Sequence, residues 1–262
     1  MWRTFVITSV LGVSIPAASI ADAAGTWQDL CDAKTYKSAA GESLPYRLLK
    51  PEKIEPGKTY PLVLFLHGAG ERGADNAKQL THGAREFAKA DVRRRHPCFV
   101  LTPQCPEGKR WVEVDWALPA HTMPAKPSVP MRLALELVDK LVGDLPIDKG
   151  RIYVTGLSMG GFGAWDAPLR RPGLFAAAMP VCGGGDLGQA AKFKDMPVWA
   201  FHGDHDHTVL PSRTTDMIEA IRKAGGHPKM TIYPGVDHDC WTATYANPKV
   251  LDWLFAQQKQ QP

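Results

Sequence analysis

The segment Gly156-Leu-Ser-Met-Gly160 sets a serine between two glycines. The apolar stretch Arg151–Thr155 before it reads as a short strand, and Gly161–Trp165 after it opens a helix. A serine at the apex of a strand–sharp turn–helix needs small neighbours, because the helix packs closely on the strand. Its hydroxyl then stands above the sheet beside the positive end of a helix. A hydroxyl is a weak nucleophile and needs a base, and the base needs a carboxylate to fix its tautomer. His238, in Tyr233-Pro-Gly-Val-Asp-His238, follows the last expected strand and is the candidate base. The competing reading, in a chain with nine histidines, is a surface loop residue. The segment His202-Gly-Asp-His-Asp-His-Thr-Val209 follows an earlier strand and offers two acids, Asp204 and Asp206.

The same segment could be read as a metal cluster. Alternate residues on an extended loop point to opposite sides, and the helical His spacing common at catalytic zinc is absent, so no metal and no cofactor are expected. Acyl transfer also needs donors for a developing oxyanion. One is the amide of Met159, next after the serine. The other belongs to the loop His67-Gly-Ala-Gly-Glu-Arg-Gly73, with Ala69 as the choice and Gly68 as the alternate. A site of this kind attacks the carbonyl of an ester or an amide. Tryptophans near these motifs suggest an apolar or aromatic pocket. Trp111 and Trp241 are taken as substrate-binding, and Trp116 is a further candidate.

These groups need a sheet to hold them. Runs at 44–49, 60–66, 98–102, 151–155, 175–181, 197–201 and 230–233 read as strands, and 60–66 is apolar throughout, as in a strand buried on both faces. Helices are expected at 131–142, after Ser158, after Pro211 and after Pro248, with a further one over about 74–88. The alternation implies an α/β fold with a mostly parallel central sheet and helices on both faces. The stretch from Pro106 to Pro130, with five prolines and two tryptophans, reads as an irregular loop shaping access.

The 262 residues, 44% hydrophobic and 22% charged, suffice for one well-buried domain and argue against disorder. A net charge of +4, spread along the chain, does not call for nucleic acid, and the cluster Arg93–Arg95 reads as a solvated helix end. Residues 1–23 have the shape of a signal peptide: Arg3, an apolar stretch, then Ala21-Asp-Ala23. The expectation is cleavage after Ala23, a single catalytic domain over 24–262, a secreted or periplasmic location and no stable membrane span. Five cysteines (Cys31, Cys98, Cys105, Cys182, Cys240) leave at least one unpaired, and one or two disulfides would suit an oxidising compartment.

Taken together, Phe65-Leu-His-Gly-Ala-Gly70, Gly156-Leu-Ser-Met-Gly-Gly161, His202-Gly-x-x-Asp206 with Val209, and Tyr233-x-Gly-x-x-His238 resemble the phospholipase/carboxylesterase branch of the α/β-hydrolases. The resemblance extends over about residues 44–257. It is nearest to secreted prolyl-oligopeptidase-like esterases, with feruloyl-esterase and polyhydroxyalkanoate-depolymerase relatives. It implies a Ser158–His238–Asp206 triad, resolving the acid to Asp206, with oxyanion amides on Ala69 and Met159. Leu210, between Val209 and Pro211, departs from the family's usual Val-Pro. No large cap is inserted. The implied activity is a serine carboxylesterase on small or polymer-linked esters, such as feruloyl or acetyl esters of polysaccharide. The alternatives are a serine peptidase, or a noncatalytic binder on the same fold.

Overall fold

The computed structural model describes residues 1–2 and 26–259. The expected signal segment and its cleavage site lie almost wholly outside them. Eight strands form one sheet: β1 Cys31–Lys37, β2 Ser43–Leu49, β3 Tyr60–Leu66, β4 Phe99–Pro103, β5 Ile147–Leu157, β6 Ala177–Val181, β7 Trp199–Gly203 and β8 Lys229–Tyr233. Their order is β1-β2-β4-β3-β5-β6-β7-β8. The β1–β2 and β2–β4 pairs are antiparallel and all others parallel. The helices are α1 Ala84–Ala88, α2 Ala90–Arg95, α3 Val129–Asp144, α4 Met159–Arg170, α5 Ser212–Lys223, α6 Trp241–Ala246 and α7 Pro248–Phe255.

The apolar run of β3 is explained by its two faces. Leu62, Leu64 and Leu66 enter one core with residues of α3, α4 and α5, while Val63 and Phe65 enter the other with α1, α2, α6 and α7. Period-two alternation is present but invisible in hydropathy, because both faces are covered. The chain order reverses between β3 and β5. Ligands of such sheets bind in the crevice at this point, beyond the carboxyl ends of the strands.

Two elements depart from the sequence reading. The polar strand β1 was not expected. Only Cys31 of its residues is buried, so the strand is held by pairing to β2 and carries no hydrophobic signal. The single helix expected over 74–88 is instead a 3-10 turn at Lys78–Leu80 followed by α1. Gly83 interrupts it with φ 73°, and a side chain there would strike the rings of Phe65 and Tyr245. Arg93–Arg95 end α2 as expected: Arg93 bonds to Lys50 O, and Arg95 pairs with Asp91 and Asp252. The five cysteines are all buried free thiols, so the expectation of disulfides is corrected. They fill core positions as small apolar side chains do.

The stretch between β4 and α3 is a strap tied down along its length. Trp111 Nε1 donates to His67 O (3.0 Å) and Ser128 Oγ to Trp111 O (2.8 Å). Arg213 reaches Leu118 O, Asp186 holds Met123 N, and Arg170, itself in a buried pair with Asp166, holds Pro124 O.

The tightest packing lies where α4 meets the sheet. A Cβ on Gly160 would overlap Leu66 O, one on Gly156 would meet Gly160 O and Leu66 O, and one on Gly161 would overlap Val181 O. The obstacles are backbone atoms of β3 and β6 and of α4's own first turn, and they cannot rotate away. Gly160→Ala should therefore cost about 3 kcal/mol or more of stability, seen as a lowered urea midpoint at unchanged slope. A wild-type midpoint would refute this account of the turn.

Candidate active site

The packing that excludes side chains at 156, 160 and 161 forces the backbone through a sharp turn at Ser158, with φ 53° and ψ −119°. A non-glycine residue tolerates this region only where its surroundings over-determine it. Here Ser158 N donates to Val181 O (3.0 Å), with Cys182 Sγ also near (3.3 Å). The hydroxyl is left half-buried at the crevice.

The structure brings Ser158, His238 and Asp206 together from the ends of three strands. Ser158 Oγ lies 2.9 Å from His238 Nε2, and His238 Nδ1 lies 2.7 Å from Asp206 Oδ2. The ring therefore carries its proton on Nδ1, leaving Nε2 free to accept from the serine. Asp206 has a fully buried side chain and His238 is 19% exposed. Burial alone would push the Asp206 carboxyl up. Hydrogen bonds from His202 and His238 and from the Val209 amide outweigh it and hold the group well below the usual carboxylate range. Asp204 does other work. It is exposed, and its Oδ1 accepts from Gly235 N (2.6 Å), pinning the turn that carries His238. That turn lies directly on β7, where a side chain at Gly203 would overlap Val236 O and Asp237 O.

Met159 opens α4 and Ala69 opens a 3-10 turn, so both amides stand at helix starts without an intrahelical acceptor. Ala69 lines the same pocket as Ser158. The loop is fixed from beneath by His67, a buried residue not singled out in the sequence. Its Nδ1 donates to Gly68 O (2.6 Å), its Nε2 accepts from Cys105 N (2.9 Å) and its carbonyl takes the Trp111 indole.

The pocket, about 460 Å³, is walled by Trp241 and His82 on one side and Asp115, Trp116 and Ala117 of the strap on the other. Trp241 begins α6, and its ring meets that of His238 edge to face (5.3 Å between centroids). Trp111 does not line the pocket. It is completely buried, and its indole is spent on His67, so its assignment to substrate binding is corrected. Trp116 lines the pocket instead, with the Arg110 guanidinium stacked on its ring. Glu71 also lines it, largely buried, and that burial pushes its carboxyl up. Nothing in the spacing of Glu71 or His82 marked them in advance, since Glu71 ends the 3-10 turn after β3 and His82 lies in the irregular stretch before α1. Cys182, beneath Ser158, and Cys240 are buried against each other, and burial followed by the neighbouring thiol pushes Cys182 well above its ordinary value. It is thus an inert thiol. In the 202–207 segment His202 is buried while His205 and His207 stand at the surface, so these imidazoles diverge.

A strand–serine–helix turn at the switch point of a mostly parallel sheet, with acid and base on later strand ends, is an α/β-hydrolase arrangement. Comparison with known proteins agrees. Residues 132–248 match the dienelactone hydrolase family. A thermostable esterase of known structure is 39% identical, with a TM-score of 0.83 over 89% of this chain and 64% of its own. Poly(3-hydroxyalkanoate) depolymerase C of Paucimonas lemoignei is 25% identical over 68% of this chain, which spans just under half (46%) of that protein. A CE1 ferulic acid esterase from Anaeromyces mucronatus shares the fold at 15% identity, with a TM-score of 0.62 over 87% of this chain and 90% of its own. The chain has the α/β-hydrolase fold and is similar in sequence to an esterase and a depolymerase.

Burial holds His67 down at about 4. An unfolded histidine titrates near 6.5, so between about pH 6.5 and 4 the unfolded chain binds a proton that the folded one refuses. The stabilisation is complete above that window and is lost as pH falls through it, by about 3 kcal/mol from this residue. Urea unfolding at successive pH values should show the slope, reduced in His67→Asn. An equal slope in both proteins would assign it elsewhere.

Proposed function

We propose that the chain is an exported serine carboxylesterase. The observation carrying this reading is the continuous Ser158–His238–Asp206 hydrogen-bond relay, opening on a pocket that also holds the Ala69 loop. Ser158 Oγ attacks the ester carbonyl while His238 Nε2 takes its proton. Asp206 stabilises the imidazolium without accepting the proton. The amides of Met159 and Ala69 receive the negative charge on the carbonyl oxygen. His238 then protonates the departing alcohol, leaving an acyl-Ser158 ester. A water deprotonated by His238 attacks that ester, returns the serine and releases the acid.

Two tryptophans and a mostly apolar lining support an acyl or alcohol group with a flat or aromatic part, such as a feruloyl ester on polysaccharide, and leave room for acetyl esters. The 39%-identical esterase supports ester over peptide bonds. The signal-like first 23 residues support action outside the cytoplasm.

Ser158→Ala should lower p-nitrophenyl acetate hydrolysis by roughly 10⁴-fold or more and abolish fluorophosphonate labelling; retained turnover would sink the proposal. Asp206→Asn should cost on the order of 10⁴-fold, and Asp204→Asn far less. Reversal of that order would reassign the acid. Trp116→Ala should raise KM for a feruloyl ester more than for an acetyl ester, whereas Trp111→Ala should chiefly lower Tm. Equal KM changes for the two esters would remove Trp116 from the acyl or alcohol site.

A further inference from the structure

Asp206 serves two imidazoles. Its Oδ1 accepts the amides of Thr208 (2.9 Å) and Val209 (2.8 Å). Its Oδ2 accepts His238 Nδ1 at 2.7 Å, and on the same oxygen lies His202 Nε2 at 3.1 Å. His202 is the penultimate residue of β7 and is completely buried. We propose that His202 is a positioning residue for the reaction: it holds the acid in line and, by sharing Oδ2, limits how strongly Asp206 draws on the proton of His238. This rests on the Ser158–His238–Asp206 reading.

The hydrogens available to its neighbours fix which way His202 faces. Nε2 is 2.9 Å from Val209 O as well as 3.1 Å from Asp206 Oδ2. Both neighbours are pure acceptors, so Nε2 carries a hydrogen, which is bonded to Val209 O and lies close beside Asp206 Oδ2. Nδ1 lies 2.7 Å from Thr214 Oγ1 on α5, which is itself 3.1 Å from Gly183 O. The threonine has one hydrogen to give. Turned to Nδ1, it leaves His202 neutral. Turned to Gly183 O, it requires a second ring proton and a positive charge on His202. In either state the ring presents N–H to the acid.

The charged and titratable groups around this ring are few. Asp206 and His238 face it across Oδ2, and Cys182 lies near Asp206 from the β6 side as a protonated thiol. Arg213, beside Thr214, directs its guanidinium to Leu118 O and His121. Asp237 is turned to the amides of His207 and His238. Asp206 is therefore the acid that His202 acts on. A carboxylate that loses a buried donor concentrates its charge on the remaining one. Without His202, the His238 imidazolium is favoured over the neutral base that attack on the ester requires.

The test compares two amides in place of the ring. His202→Gln can carry an N–H to the position of Nε2 and keep a donor on Asp206. His202→Asn reaches only the position of Nδ1, meeting Thr214 and leaving Asp206 short of one bond. In pH-rate profiles on p-nitrophenyl acetate, His202→Asn should lower kcat on the order of 10-fold to 100-fold with KM nearly unchanged, by analogy with the loss of a hydrogen-bond partner behind a metal-ligating side chain. The acid limb of its profile should move to higher pH, and His202→Gln should restore both rate and limb. Fluorophosphonate labelling of Ser158 to completion, though slower, reports a folded site in each variant. Equal losses in the two variants, or an unmoved acid limb, would leave His202 a structural residue and overturn the inference. Asp206→Asn in the same series separates the outcomes. A wild-type rate there defeats the relay itself, whereas a deep loss beside a silent His202→Asn defeats only the role of His202.

Discussion

The first turn of α4 lies against the carbonyls of Leu66 and Val181 so closely that no Cβ fits at positions 156, 160 or 161. That contact joins the ends of β3, β5 and β6 into one rigid edge. It drives Ser158 to a positive φ, presents its hydroxyl above the sheet and leaves the Met159 amide at the start of a helix, where the dipole favours negative charge. Because Leu66 belongs to the strand that leads into the Ala69 loop, the same contact fixes the distance between the serine and the second candidate oxyanion amide. Strain at one residue is thus the local expression of packing between three strands and a helix.

Asp206 and His238 stand after the next strands of the same edge. Burying a carboxylate as completely as Asp206 is costly unless its lone pairs are filled. Two amides and two imidazoles fill them, and the group stays ionised. The His238 turn rests on Gly203 and is clasped by Asp204, so its position is set by backbone contact as much as by the hydrogen bond to Asp206. His67, Trp111 and Ser128 anchor the strap to the sheet on the far side of the crevice. Its segment 115–117 then becomes a wall of the pocket without any regular structure of its own.

Much of this was legible from residue order. The G-x-S-x-G turn, the acid and histidine after later strands, and seven of the eight strands carry local signals: glycines where backbones touch, apolar runs where both faces are covered, prolines where helices start. What escaped had weaker signals. The strand β1 buries one side chain, so its pairing with β2 leaves no hydropathy pattern. The helix expected over 74–88 breaks at Gly83 because two rings from distant segments occupy the space a side chain would need. Cysteines that could have been bridged fill separate places in the core or rest against one another as thiols.

By itself the sequence determined which serine, histidine and aspartate follow strand ends, and where only glycine fits. Local sterics and strand order encode those features, and both are written along the chain. The tertiary structure alone decided which tryptophan faces the pocket. Trp111 and Trp116 sit in one irregular strap with no period to distinguish inside from outside, and the choice fell to a hydrogen bond from Trp111 to a strand end 44 residues away. It also decided that one carboxylate oxygen would be shared by two histidines. A contact between β7, the loop after it and the turn after β8 exists only once the sheet has brought those ends together.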